Sequence, residues 1–439
     1  VNLEGSLNPA RGARRALVYL VLLALVWGVG FRVRALLALG ASGVATLLAL
    51  ALYPRLAARG VAATRRMASR AFEEEDVDVS FGLENRSMLP FVFAEVEDCF
   101  LPDQEIFRRA PLPALVPRRA RALGRYRASC FGKRGAYAIG PARVRLADPL
   151  GLFLRDVTLD EATPFVVYPR TVDLPDLPPG AAGRALAATA LARQAGESAE
   201  ALSVREYRPG DPLRRIHWPT SARRGKLAVL ELELEHAQDV AIFIDLDKRT
   251  LRGLGRRSTL EHTVRIAAAA AQAYLRRGDR VRIVARGKEP VLVPPGTGER
   301  HLALVLDALA RVKPDGETAI ESLLLESAGE LRPGSTAFAI LAAADDPGHR
   351  EAEQALTRER MAAIAALRAR GCQVVFVLLD EPTFLPIYRE QQKKREHRTA
   401  VPSVADALVR EGALVYVVGQ GDDLGERFLE PYARSARRG

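Results

Sequence analysis

Val240-Ala241-Ile242-Phe243-Ile244, followed by Asp245-Leu246-Asp247-Lys248-Arg249-Thr250, is the stretch on which the fold turns. Five consecutive apolar residues read as a strand buried on both faces, the habit of a parallel sheet. Downstream, Ser258-Thr259-Leu260-Glu261 is a capping box, opening a helix that stops near Gly278. Further apolar strands fall at Val281–Val284, Ala337–Leu341, Val374–Leu379 and Leu414–Val418, with helices over Arg350–Arg370 and Ser403–Glu411 between them. Such repetition predicts a mainly parallel α/β sheet over residues 236–439. Ligands of open α/β sheets bind beyond the carboxyl ends of the strands, so the loop from Asp245 to Thr250 is the first candidate site. The charge-dense run Arg389–Arg398 lacks an apolar stripe and reads as a surface insertion.

Working outward, Leu227–Glu235 alternates as a strand, with Glu231, Glu233 and Glu235 on its solvated face. Before it run Arg205-Glu206-Tyr207-Arg208-Pro209-Gly210-Asp211-Pro212-Leu213-Arg214-Arg215-Ile216-His217-Trp218 and Ser221-Ala222-Arg223-Arg224-Gly225-Lys226. Forked Arg donors, carboxylates, an imidazole and an indole around a Pro-Gly-Asp-Pro turn compose a buried polar network or an anion-recognising loop. We read Arg205, Glu206, Tyr207, Gly210, Asp211, Arg215, His217, Trp218, Ser221 and Arg223 as a network fastening segment 201–235 to the sheet, with His217 and Trp218 packed together. Asp211, His217 and Ser221 supply the residue types of a hydrolytic triad. They crowd into eleven residues without a Gly-x-Ser-x-Gly elbow, and the expectation is a structural role and no enzyme activity. Pro295-Gly296-Thr297-Gly298-Glu299-Arg300 lacks the Lys-Ser/Thr ending of a phosphate loop.

Of the net charge of +11, residues 1–70 carry +9, from ten Arg against Glu4. The basic excess therefore belongs to a membrane-flanking segment and not to a nucleic-acid surface, and no nucleic-acid motif accompanies it. Ala16–Phe31 and Ala35–Tyr53 are uncharged apolar runs of sixteen and nineteen residues joined by Arg32-Val33-Arg34, which predicts a transmembrane helical hairpin over 16–54 after a basic tail, 1–15. A signal peptide would imitate the first run, but the second argues against one. Eight flanking Arg against two at the join place both termini in the cytoplasm of a multi-pass inner-membrane protein.

Residues 55–75 read as a juxtamembrane linker, 76–170 as a β-sandwich of immunoglobulin-like architecture, and 171–200, rich in Pro, Gly and Ala, as a second linker. In the β region Val77–Phe81 alternates, Glu84–Ser87 turns, Phe91–Phe100 forms a second strand, and Tyr126–Cys130 and Tyr137–Leu146 form a pair about Arg134-Gly135. Gly132–Tyr137 and Asp148-Pro149-Leu150-Gly151-Leu152-Phe153 read as turns that set register. Cys99, Cys130 and Cys372 lack metal spacing, and the first two read as core residues of strands.

The signature from Arg205 to Lys226, with the two upstream motifs, resembles the bacterial domain of unknown function 58 family. Pro219 departs from it, standing where the family often has a basic residue. The region after Ile244 resembles a von Willebrand factor A domain, which implies a divalent ion such as Mg²⁺ at Asp245, Asp247, Thr318 and Asp345. Asp247 and Arg249 replace both serines of that pattern, and a donor-only guanidinium opposes an ion or pairs internally with Asp245. The expectation is a degenerate site with no cofactor. By resemblance, such proteins are encoded beside MoxR-type AAA+ ATPases and factor A membrane proteins. The implied function is a membrane-tethered, non-catalytic adaptor, with a metal-dependent adhesion-like receptor or a hydrolase as the alternatives.

Overall fold

The computed structural model describes residues 9–132, 134–159, 162–174, 177, 204–207, 216, 218–230, 238–343, 350–385 and 402–432. The chain divides into two compact units, Val1–Tyr168 and Pro169–Gly439. The first opens with helices Pro9–Gly30 and Arg34–Ala58, both long and apolar enough to cross a membrane. The first helix begins at Pro9, so Arg11, Arg14 and Arg15 ride on it instead of forming a separate tail. Tyr19, Leu20, Val26 and Phe31 are left exposed, which water would penalise and hydrocarbon would not. Glycines let the two helices touch: a Cβ on Gly28 would stand 2.8 Å from the Leu37 amide nitrogen, and one on Gly43 2.5 Å from Val21 Cγ2.

The rest of this unit is β, in three sheets around one core to which Phe81, Val96, Val144 and Phe165 contribute. Two expectations need correction. Residues 55–75 are not a linker: Val61–Arg66 pairs antiparallel with Asp76–Asn85, and Arg70–Phe72 pairs parallel with Thr163–Tyr168. Arg65, Arg66 and Arg70 break the apolar alternation and so hide the strand pattern, yet only Arg66 and Arg70 are exposed: the Arg65 side chain turns inward onto Asp98 at 2.5 Å, and Asp98 also accepts from the Tyr126 hydroxyl at 2.6 Å. Nor do the strands about Arg134-Gly135 pair with each other. Arg121–Ser129 joins Asp76–Asn85, Gly135–Ile139 joins Thr163–Tyr168, and Ala142–Ala147, beyond the cis Gly140–Pro141 bond, joins Phe91–Cys99. The buried Asp148 accepts from the Leu150 and Phe153 amides, and Gly151 takes φ 68°, so Asp148-Pro149-Leu150-Gly151-Leu152-Phe153 is a carboxylate-braced turn. Cys130 is fully buried, and burial pushes its thiol up to about 12.

The second unit holds a six-stranded sheet in the order Pro290–Gly296, Arg280–Arg286, Asp239–Ile244, Thr336–Ala343, Gln373–Asp380, Leu414–Val418. The last five run parallel, and Pro290–Gly296 is an antiparallel edge. That edge strand escapes a sequence reading because prolines, which cannot donate to a ladder, are tolerated only at such an edge. Thr336–Ala343 and Gln373–Asp380 are buried at every position, as strands covered by helices on both faces must be. Ser258 Oγ accepts from the Glu261 amide to start helix Thr259–Arg276, and Gly278 at φ 86° ends it. Within the expected 171–200 linker, Leu174 and Leu177 are buried. The run Arg389–Arg398 lies outside the described residues.

Candidate functional site

The chain passes from strand Asp239–Ile244 to a neighbour on one side, Arg280–Arg286, and later to one on the other, Thr336–Ala343. This reversal makes a crevice beyond the carboxyl ends of Asp239–Ile244 and Thr336–Ala343, the usual ligand position in such sheets. A cavity of about 10 Å³ lies there, lined by Asp245, Asp247, Thr250, Thr259, Thr263 and Ala342 among others. Among the described residues that is room for about one water.

Each loop residue is tied locally. The Asp247 amide donates to Asp245 Oδ1 at 3.0 Å, and the Thr250 hydroxyl donates to the Asp247 carbonyl at 2.9 Å. Asp247 bridges to Gly316, whose carbonyl accepts from the Lys248 amide, while Lys248 pairs with Glu317. The segment carrying Thr318 is thereby stapled to the Asp245–Thr250 loop. Asp345 lies outside the described residues.

Arg249 folds back onto Asp247. Its Nε lies 3.0 Å and 2.9 Å from the two carboxylate oxygens, its Nη2 2.5 Å from Oδ2, and its amide donates to Oδ1 at 2.9 Å. The pairing expected with Asp245 is made with Asp247, because residues two apart across a tight turn close a bidentate fork. Burial pushes Asp247 upward, but hydrogen bonds from Arg249 outweigh it and hold the carboxyl below its usual range. Asp245 has no such partner, and burial pushes it up to about 6. The donor set does not fit a divalent ion: Asp247 already accepts a guanidinium through both oxygens, and the nearest fixed charge is positive. Among the described residues, no three His, Cys, Asp or Glu side chains converge as metal ligands.

Of the signature, the described residues give two separate pieces. Val204–Glu206 pairs antiparallel with Ala228–Leu230, placing Arg205 opposite Val229 and Glu206 opposite Ala228, and the Tyr207 amide donates to the Leu227 carbonyl. Trp218–Arg224 is a helix on which Ser221 is buried, its Oγ accepting from the Ala228 amide at 2.9 Å. Ser221 thus ties helix to strand. Two expectations fail here. Trp218 is 65 % exposed instead of packed, and Arg223 is exposed on the same helix and not in a buried ion pair. Gly210, Asp211, Arg215 and His217 lie outside the described residues.

Sequence reasoning missed the buried pair Arg360–Glu321, at 2.5 Å, which lies beneath this end of the sheet. Only an acid in the first turn of helix Ile320–Ala328 could have signalled it.

The family model described as "Protein of unknown function DUF58" matches residues 203–376, bearing out the resemblance read from the signature. The uncharacterized protein YeaD of Bacillus subtilis (strain 168) is 25 % identical over 291 residues, covering 64 % of this chain and 69 % of that protein. Among solved structures, the Vibrio harveyi GH20 exo-β-N-acetylglucosaminidase is 8 % identical over 82 % of this chain and 81 % of its own, with a TM-score of 0.20. The Pseudomonas fluorescens alkylpurine DNA glycosylase AlkC is 13 % identical over 34 % of this chain and 41 % of its own, with a TM-score of 0.17. Neither structural likeness carries an argument about fold or function.

Proposed function

We propose, from the DUF58 match over residues 203–376 and the closed crevice, that this is a membrane-anchored, non-catalytic adaptor. In this reading the two apolar helices form a transmembrane hairpin of the inner membrane with cytoplasmic termini, the β region is an immunoglobulin-like sandwich, and the α/β unit is factor A-like. The partner is a protein, a MoxR-type AAA+ ATPase or a membrane protein that works with one. The observation that carries the reading is the Arg249–Asp247 fork, which fills with a side chain the place a metal or substrate would need. A crevice so filled offers a rigid surface and no reacting centre. Ser221, committed to the Ala228 amide, is poorly placed to act as the nucleophile of the alternative hydrolase reading.

Photo-crosslinking in native membranes tests the reading. A crosslinker at exposed Lys248, at the carboxyl edge of the sheet, is expected to capture an AAA+ ATPase, and one at Arg332, at the opposite edge, is not. Capture from neither position, or equally from both, would discard the proposed docking edge. Hydrolytic activity lost in Ser221→Ala would restore the enzyme alternative.

A further inference from the structure

The opposite, amino-terminal end of the sheet carries a second polar cavity, of about 70 Å³, whose lining includes Asp239, Arg280, Arg282, Glu330, Arg332 and Ser335. Strand register builds it. Asp239 lies beside Arg280 and Ala241 beside Arg282, so the period-two alternation puts both arginines on one face, next to a residue with only a methyl side chain. The connection from helix Ile320–Ala328 to strand Thr336–Ala343 adds Arg332. Three guanidinium groups face two carboxylates.

Their mutual contacts are long. Arg280 Nε stands 3.5 Å from Asp239 Oδ1, Arg332 Nη1 3.4 Å from Asp239 Oδ2, and Arg282 Nη1 3.9 Å from Glu330 Oε2. Charge-assisted bonds of this kind ordinarily measure about 2.7–2.9 Å. Arg282 decides the matter. Its Nε and Nη2 are shut from solvent and have no hydrogen-bond partner among the described residues. Those two atoms form the edge of a guanidinium that presents parallel N–H groups to an oxyanion. Leaving such an edge desolvated and unpaired is costly, and the carbonyls at the end of helix Ile320–Ala328 do not accept from it.

We propose that this cavity binds a small tetrahedral oxyanion, a free phosphate or a phosphate monoester, on the guanidinium of Arg282, whose unpaired N–H groups turn to the anion as it enters, with Arg280 and Arg332 flanking it. At roughly 10–15 Å³ per water-sized position, the cavity holds about five to seven, which suits the four oxygens of one phosphate group. One surplus positive charge among the five ionic side chains favours the same ligand. The site is independent of the adaptor reading, since it lies at the other end of the strands.

Calorimetric titration and thermal melts of the full chain in maltoside micelles, at constant ionic strength in chloride, test the site with inorganic phosphate, glycerol phosphate and acetate as probes. Phosphate is expected to give saturable heat and a saturable rise in Tm, with acetate at least tenfold weaker. Arg282→Met should abolish both effects. Arg332→Ala, at an exposed position where folding is not at stake, should weaken phosphate at least tenfold. Glycerol phosphate binding as tightly as phosphate assigns the site to monoesters, and binding only by the free ion assigns it to phosphate itself. Absence of saturable phosphate binding, equal binding of acetate, or full phosphate affinity in Arg332→Ala would overturn the proposal.

Discussion

The two ends of the six-stranded sheet are built from the same strands and solve opposite problems. At the carboxyl end acids predominate, and guanidinium groups from the chain itself answer them at close range: Arg249 on Asp247, Arg360 on Glu321 and Arg252 on Glu381. At the amino end guanidinium groups predominate, and the carboxylates answer them only at 3.4–3.9 Å. The cavities follow the charges, about 10 Å³ where ions are matched and about 70 Å³ where they are not. A sheet end can therefore look like a binding site by position and be closed by its own side chains, while the end that topology does not favour keeps unmet hydrogen-bonding capacity.

The internal matching at the carboxyl end can be broken most severely at Arg360. Arg360 and Glu321 are 5 % and 3 % exposed, so removing one leaves the other charge buried and unpaired. Arg360→Met should cost roughly 3–5 kcal/mol in the α/β unit. Adding Glu321→Gln to that variant should recover most of the loss in a denaturant or thermal melt. If Arg360→Met alone were neutral, the carboxyl end would not depend on internal counter-ions and the contrast between the two ends would fail.

Asp380 sharpens the comparison from the other side, because, like Asp245, it is an acid at the carboxyl end with no guanidinium partner among the described residues. Its Oδ1 is buried without a hydrogen-bond partner among the described residues, and burial, with Asp422 adding, pushes it from 3.8 to about 6. A carboxyl whose folded pKa lies above its unfolded value keeps its proton longer in the native state. Stability from this group is therefore full below pH about 4, is lost as the pH rises to about 6, and stays flat above that. Asp380→Asn should raise stability at pH 7.5 by on the order of 1–2 kcal/mol. The gain should shrink to nothing near pH 4, and a gain independent of pH would locate the effect elsewhere.

The legibility of this chain in its sequence follows the same division. Val240–Ile244, Val374–Leu379 and Leu414–Val418 announce themselves because strands buried on both faces are unbroken apolar runs, and Ser258…Glu261 announces its helix by a local hydrogen bond. Arg65 does not announce itself: a strand ending in two arginines reads as a basic flank until Asp98 and Tyr126 are seen beneath it. The signature misled at Trp218 and Arg223, whose chemistry suggested packing although the short helix turns both outward. At the candidate site, proximity in sequence was enough to foresee that Arg249 would meet an acid, and only the turn geometry selected Asp247 over Asp245. The amino-terminal cavity had no sequence signal, because Asp239, Arg280 and Arg332 meet through register and not through spacing.

The smallest expected effect on stability, and the most discriminating on chemistry, concerns the Arg249–Asp247 fork. Arg249 is 67 % exposed, and exposed pairs contribute at most about 1 kcal/mol, so Arg249→Ser should melt within a few degrees of the parent. Its effect on cations should be larger. The guanidinium occupies both Asp247 oxygens and carries a positive charge where an ion would sit, whereas Asp245 and a serine pair would offer oxygens without a competing donor. Asp247→Ser with Arg249→Ser should therefore raise affinity for Mg²⁺ and Mn²⁺ at least tenfold in calorimetric titration, from a parent showing no saturable heat at millimolar ion. Tight binding by the parent, unchanged in the double variant, would mean that the fork opens in solution and that the carboxyl end is a metal site after all.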